Sequence, residues 1–180
     1  LPELRRARFI ANVEYANYTA EELADLVENN IDVLDEPALL RAAANAKDID
    51  AKIAIYKQAV KKYGTDKAKY NLGVAYLDKG DNRAAKDAFD SMDKKEGSCF
   101  NNVMGVVAMR EGKLAEAANW FSKVTCKHGK LNQAVLDILN GKYNDAASKL
   151  AGTGNCNETL AYILTNQLDK ASESIKGNCP

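Results

Sequence analysis

The chain is short of histidine, proline and tryptophan, with one His, three Pro and one Trp in 180 residues. It has no apolar run near the roughly 18 residues that would cross a bilayer. It has no charge excess either, since 25 basic residues balance 25 acidic ones. Each shortage excludes something. Zero net charge leaves no basic footprint for nucleic acid, so no nucleic-acid partner is expected. His128 is flanked by Lys127, Gly129 and Lys130 in an expected loop and reads as a solvated surface side chain. No Gly-rich phosphate loop, G-x-S-x-G or H-E-x-x-H occurs. The four cysteines lack the paired C-x₂-C spacing of a zinc site. Carboxylates such as Asp78, Asp87 and Asp90 are spread along helix surfaces. The expectation is therefore a protein that is not an enzyme and takes no metal or cofactor. No signal peptide is visible, and the chain opens on Leu1 rather than Met, as a trimmed fragment does.

What is present is a helical pattern. Hydrophobic residues make up 46% of the chain. The stretch Lys69 to Met92 places Leu72-Gly73, Tyr76, Ala85 and Phe89 at the spacing of a helix–turn–helix repeat. Leu72, Gly73 and Tyr76 share one face of a first helix; Ala85 and Phe89 face them from a second. The small Gly73 and Ala85 let the helices approach, and Gly80 suits the turn between them. This pattern resembles the tetratricopeptide repeat (TPR), which implies an all-α, right-handed superhelical solenoid acting by binding. The copies recur. Gly112 and Gly141 repeat Gly80, with Ala117/Phe121 and Ala146/Leu150 repeating Ala85/Phe89. Met104, Gly105 and Ala108 repeat Leu72, Gly73 and Tyr76. A weaker copy has Asn166 in the turn, with Ala171 and Ile175 in register. An earlier one uses Leu39, Leu40 and Ala43, then Lys47 in the turn, Asp48 as cap, and Ile55, Tyr56 and Ala59. The units run over about 33–65, 66–97, 98–126, 127–151 and 152–180. Their falling offset predicts shortened first helices in the last two.

The start of the chain differs. Phe9, Ala11, Val13 and Tyr15 alternate with Arg8, Ile10, Asn12 and Glu14, a period of two that favours a strand, with a helix as the alternative. Residues 1–19 are assigned to this strand-like segment, the remnant of a preceding domain, and 20–180 to the solenoid. A strand that lacks its neighbours allows a dimer through that edge. Thr19 and Glu22 form a capping box for a helix from about Ala20 to Glu28. The triplets Asn17-Tyr18-Thr19 and Asn157-Glu158-Thr159 match the glycosylation pattern, which is too short to assign a role.

In the repeat register Cys99 and Cys126 lie at the two open ends of one helical pair, and Cys156 and Cys179 stand alike in the last. Disulfides Cys99–Cys126 and Cys156–Cys179 are expected on that ground; four free thiols in a reducing compartment are the alternative. Residues Leu1 to Tyr15 further resemble the junction in large envelope proteins of gut anaerobes, where an OmpA-like domain is followed by degenerate TPR units. That resemblance implies a periplasmic or outer-membrane-associated fragment that does not itself insert in the membrane; a cytoplasmic location is the alternative.

The groove should be lined by first-helix residues left over from hairpin packing. These are Lys67, Tyr70, Asn71, Val74 and Asp78 in the second unit, and Asn102, Val106, Met109 and Arg110 in the third. Asn and Lys can hold a peptide backbone or carboxylate, while Tyr and Met supply apolar contact. Val74 stands where a clamp for acidic C-termini wants an amide, so such a ligand is not favoured. The expected function is a protein–protein interaction scaffold that binds a peptide or partner protein. A structural spacer and a cytosolic chaperone adaptor are the alternatives.

Overall fold

Most turns of this chain carry their own start and stop signals, and the helices follow them. The computed structural model describes residues 17–125 and 127–178. Those residues form α-helices with one short 3₁₀ turn and no strand. The helices are α1 (Ala20–Asn29), α2 (Glu36–Ala44), α3 (Ile49–Tyr63), α4 (Asp66–Lys79), α5 (Asn82–Asp90), α6 (Ser98–Arg110), α7 (Leu114–Phe121), α8 (Lys127–Leu139), α9 (Tyr143–Leu150), α10 (Cys156–Leu164) and α11 (Leu168–Asn178). The strand expected over residues 6–15, and any dimer through it, lie outside the described residues. The capping box at α1 is present: the Thr19 hydroxyl accepts the Glu22 N–H at 3.2 Å, and the Glu22 carboxylate accepts the Thr19 N–H at 2.7 Å. Asp35, Asp48, Thr65 and Asp81 cap α2, α3, α4 and α5, each side chain accepting the N–H three residues on. Each cap satisfies a helix N–H that has no partner within its own helix.

Consecutive helices pair as antiparallel hairpins, α2 with α3, α4 with α5, α6 with α7, α8 with α9 and α10 with α11, and each hairpin packs on the next. The apolar core is correspondingly a string of clusters along the array, as expected of a solenoid whose units touch only their neighbours. Gly80, Gly112, Gly141 and Asn166 all have positive φ at the expected turns. The first turn differs. Lys47 has no positive φ, and the chain passes from α2 to Asp48 through Asn45, Ala46 and Lys47.

The hairpins close on pairs matched in size. A Cβ added to Gly73 would lie 2.6 Å from Cζ of Phe89, and one on Gly105 would lie 2.6 Å from Cδ1 of Phe121. Both rings are fully buried, so neither can swing away into solvent. In α8 and α9 the pair becomes Ala134 with Leu150, both at 0% exposure: the first residue gains a methyl and the second loses its ring. In the last hairpin Thr159 stands at the glycine position. There the register residue Ile175, expected to pack inward, is 52% exposed. Thr159 leaves no hole for it, and the Thr159 and Ser174 hydroxyls bond to each other at 2.7 Å instead.

Two other expectations are corrected. The first helix of the fourth unit, α8, has 13 residues, the same as α6, so only α10, with nine, is shortened. His128 was expected in a loop, but its backbone lies in the first turn of α8. Gly129 beside it lies inside the helix: a Cβ there would lie 2.7 Å from Cβ of Val124. Gly129 is a point of close approach, not a break.

The size matching predicts a specific coupling. Gly73→Ala should lower stability by about 1–3 kcal/mol, the usual range for overpacking. Adding Phe89→Leu should recover part of that loss, because it recreates the Ala134/Leu150 combination. Urea denaturation of the two single variants and the double variant measures the coupling.

Candidate functional site

First helices have one face turned to their hairpin partner and another left over. In α4 and α6 the left-over face is rich in side chains of mixed chemistry, and the two faces meet in a cleft of about 300 Å³. Tyr70, Val74, Leu77 and Asp78 line it from α4; Cys99, Asn102, Val103, Val106 and Arg110 line it from α6. Six of the nine residues expected in the groove are thus brought together: Tyr70, Val74, Asp78, Asn102, Val106 and Arg110. Lys67, Asn71 and Met109 do not line this cleft. Lys67 is exposed, one turn outward of Tyr70. Met109 packs toward α7, against the cluster that contains Ala117 and Phe121. Leu77, Val103 and Cys99 were not expected, although each lies three residues from an expected one, at ordinary helical spacing.

The cleft wall is held from behind. The Tyr70 ring packs on Phe89 with centroids 5.9 Å apart, so the residue that fills the hairpin also orients the groove tyrosine. Asn102 Oδ1 accepts from Asn132 Nδ2 at 2.8 Å, joining α6 to α8. Arg110 Nη1 donates to the Leu77 carbonyl, which fixes the guanidinium across the gap between α4 and α6. One Arg nitrogen used this way leaves further donors for a ligand.

Loops between units are tied down by the first residue or two of the first helices. The Asp66 carboxylate accepts the N–H groups of Asp93 and Lys94 at 2.7 and 2.9 Å, and these bonds lower its pKa. The Ser98 hydroxyl accepts the Thr125 N–H at 3.1 Å. This last bond corrects the expected Cys99–Cys126 disulfide. Residue 98 is the one that faces the far end of its hairpin. Cys99, about 100° further round the helix, lines the cleft as an exposed free thiol. Cys156 is disulfide-bonded; Cys126 and Cys179 lie outside the described residues.

The buried carboxylate of Glu158 was not read from the sequence. It is 4% exposed and accepts the N–H groups of Gly152 and Gly154 at 2.6 and 2.7 Å, with the Tyr162 and Thr153 hydroxyls each at 3.3 Å. It thereby closes the loop between α9 and α10 and fixes the start of the last hairpin. Thr159 beside it is buried, so the triplet at Asn157 has its hydroxyl inside the fold.

A second cleft, of about 520 Å³, lies among α1, α2 and α3. Its lining is mainly alanine and aliphatic, from Leu23, Ala24 and Val27 to Ala54 and Ile55. Among the described residues, no group of three or more His, Cys, Asp or Glu is placed to hold a metal ion, and no helix is long and apolar enough to cross a membrane.

With this geometry the chain can be compared with known proteins. No family model matches the sequence, and no curated protein matches it. Solved structures do. A tetratricopeptide repeat protein from Parabacteroides merdae superposes with a TM-score of 0.64 at 13% identity, over 89% of this chain and 73% of that one. YrrB, a TPR protein with an unusual peptide-binding site, superposes with a TM-score of 0.53 at 18% identity, over 88% of this chain and 91% of that one. The fold is that of a tetratricopeptide-repeat array. At these identities the likeness shows the TPR fold alone, a superhelical solenoid with its first helices side by side.

Glu158 makes the TPR array sensitive to acid. Burial alone would raise its pKa, but the two backbone N–H bonds and the Tyr162 and Thr153 hydroxyls outweigh burial and hold it below the ordinary glutamate value. Because the folded pKa is depressed, its stabilisation is fully present above the unfolded value of about 4.3 and is lost as pH falls through the folded pKa. Thermal melts of the wild-type chain and of Glu158→Gln between neutral pH and pH 3 should therefore converge as the pH drops. Curves that stay parallel would contradict the role given to Glu158.

Proposed function

We propose that this chain is a protein-interaction module, not an enzyme, and that it binds a peptide or an exposed loop of a partner in the cleft between α4 and α6. The observation that carries this reading is the convergence of Tyr70, Val74, Asp78, Asn102, Val106 and Arg110 on one cleft, with apolar and polar groups side by side. A binding pocket needs both: apolar area for affinity and a few placed polar groups for orientation. The peptide-binding site of YrrB, a TPR protein of similar fold, lends support to the same use here.

The bacterial envelope is the location we propose, on the resemblance of Leu1 to Tyr15 to the OmpA-linked junction. A bonded Cys156 supports it, since disulfides persist in oxidising compartments. Non-reducing peptide mapping of the chain from its native cells checks this. It should return Cys156 bonded; four alkylatable thiols would instead indicate the reducing cytosol.

Binding itself is tested with a displayed library of random peptides panned on the whole chain. Asp78 and Arg110 are both exposed, so the Asp78→Lys/Arg110→Glu variant should keep its melting temperature within a few degrees. Enriched peptides should lose recovery on that variant. An array that enriches nothing over a blank support would instead be a spacer that positions neighbouring domains.

A further inference from the structure

The register of the turns exposes a chemical gradient along the groove. Asp78, Arg110, Leu139 and Leu164 each lie two residues before a turn residue with positive φ: Gly80, Gly112, Gly141 and Asn166. Asp78 and Arg110 both line the cleft between α4 and α6. Leu139 and Leu164 occupy the same column in the next two units, because α8 packs on α6 and α7, and α10 packs on α9, in continuation of the array. The column thus passes from an acid to a base and then to two leucines. Those leucines are 55% and 39% exposed, high for large apolar side chains. Leu160, at the position of Val74 and Val106 in its unit, is 42% exposed and widens the apolar end.

The charged end is equally uncommitted. Asp78 and Arg110 form no ion pair with each other or with any other described residue, and Arg110 is fixed by its bond to the Leu77 carbonyl. A guanidinium held in place with donors to spare is suited to a carboxylate. Resting on the groove reading above, we infer that the natural ligand is an extended segment that carries an acidic side chain over Arg110 and aliphatic side chains over Leu139 and Leu164. The spacing follows from geometry. Packed helices lie about 8–10 Å apart, and an extended chain advances about 3.3 Å per residue. Because α6 packs on α8, the step from Arg110 to Leu139 is about three residues along the ligand; the same step onward to Leu164 gives Glu-x-x-Leu-x-x-Leu or the same order in the opposite chain direction.

The test uses fluorescein-labelled peptides of this pattern, in both directions, in a serine–threonine background, with controls in which the leucines are serine. Fluorescence anisotropy on the whole chain should show saturable binding of one direction and about tenfold or weaker binding of its control. Leu139→Ser/Leu164→Ser, at exposed positions, should weaken binding about tenfold or more with an unchanged melting temperature. Arg110→Glu should also weaken binding about tenfold or more and be rescued by a peptide with Lys for Glu. Equal binding of peptide and control, or no effect of the leucine variant, overturns the inference. So does dimerisation in sedimentation that is lost in the leucine variant, since a second copy would then cover the patch. If the random library enriches peptides that depend on Asp78 and Arg110 but lack the aliphatic pair, the groove reading stands and this one falls. If the library enriches nothing, both fall.

Discussion

The contact that the rest of the array depends on is that of a missing side chain with an aromatic ring. Phe89 occupies the space a Cβ of Gly73 would need, and Phe121 does the same at Gly105. Interiors pack like crystals, so a gap or a clash of one methyl is felt. This pairing sets how close α5 lies to α4 and α7 to α6. It also places the Tyr70 ring, which leans on Phe89, at the groove wall. Further along, the pair changes in compensating steps, to Ala134 with Leu150, and then is abandoned at Thr159. The last hairpin is held by other means: the Thr159–Ser174 hydroxyl bond and the buried Glu158 carboxylate that gathers the preceding loop.

The cleft between α4 and α6 is a by-product of that packing. Once hairpin contacts consume one face of each first helix, the other face is free to vary without disturbing the core. Asp78 and Arg110 can differ from Leu139 and Leu164 although all four hold the same place in their units. The core is under a size constraint, while these exposed first-helix positions are not. Exposed ion pairs such as Lys79–Asp50 and Lys86–Asp90 belong to the outer helix surfaces and contribute little to stability.

Turns, caps and small-residue contacts were legible in the sequence because each is a local event with a strong residue preference. Gly80 and Asn166 could be placed in left-handed turns, and Thr19 with Glu22 in a capping box, from spacing alone. Features that depend on rotation by a single residue were not. Cys99 and Ser98 differ by one position, yet Ser98 meets Thr125 and Cys99 faces the cleft. The sequence offers no measure fine enough to choose between them. Glu158 was missed for a different reason. A glutamate on a helix is ordinarily solvated, and only the left-handed Gly152 and Gly154 in three dimensions turn their N–H groups toward it. The contact of Gly129 with Val124 was not legible either, since a glycine needed for close approach looks the same in sequence as one that ends a helix.

If ring-into-glycine packing is the source of order in the array, stability should follow it unit by unit. Native-state hydrogen exchange reads this directly, since amides report the free energy of local opening. The amides of α4 through α7 should be the slowest to exchange, those of α8 and α9 intermediate, and those of α10 and α11 the fastest. Uniform protection along the array, or greatest protection in α10 and α11, would contradict the account.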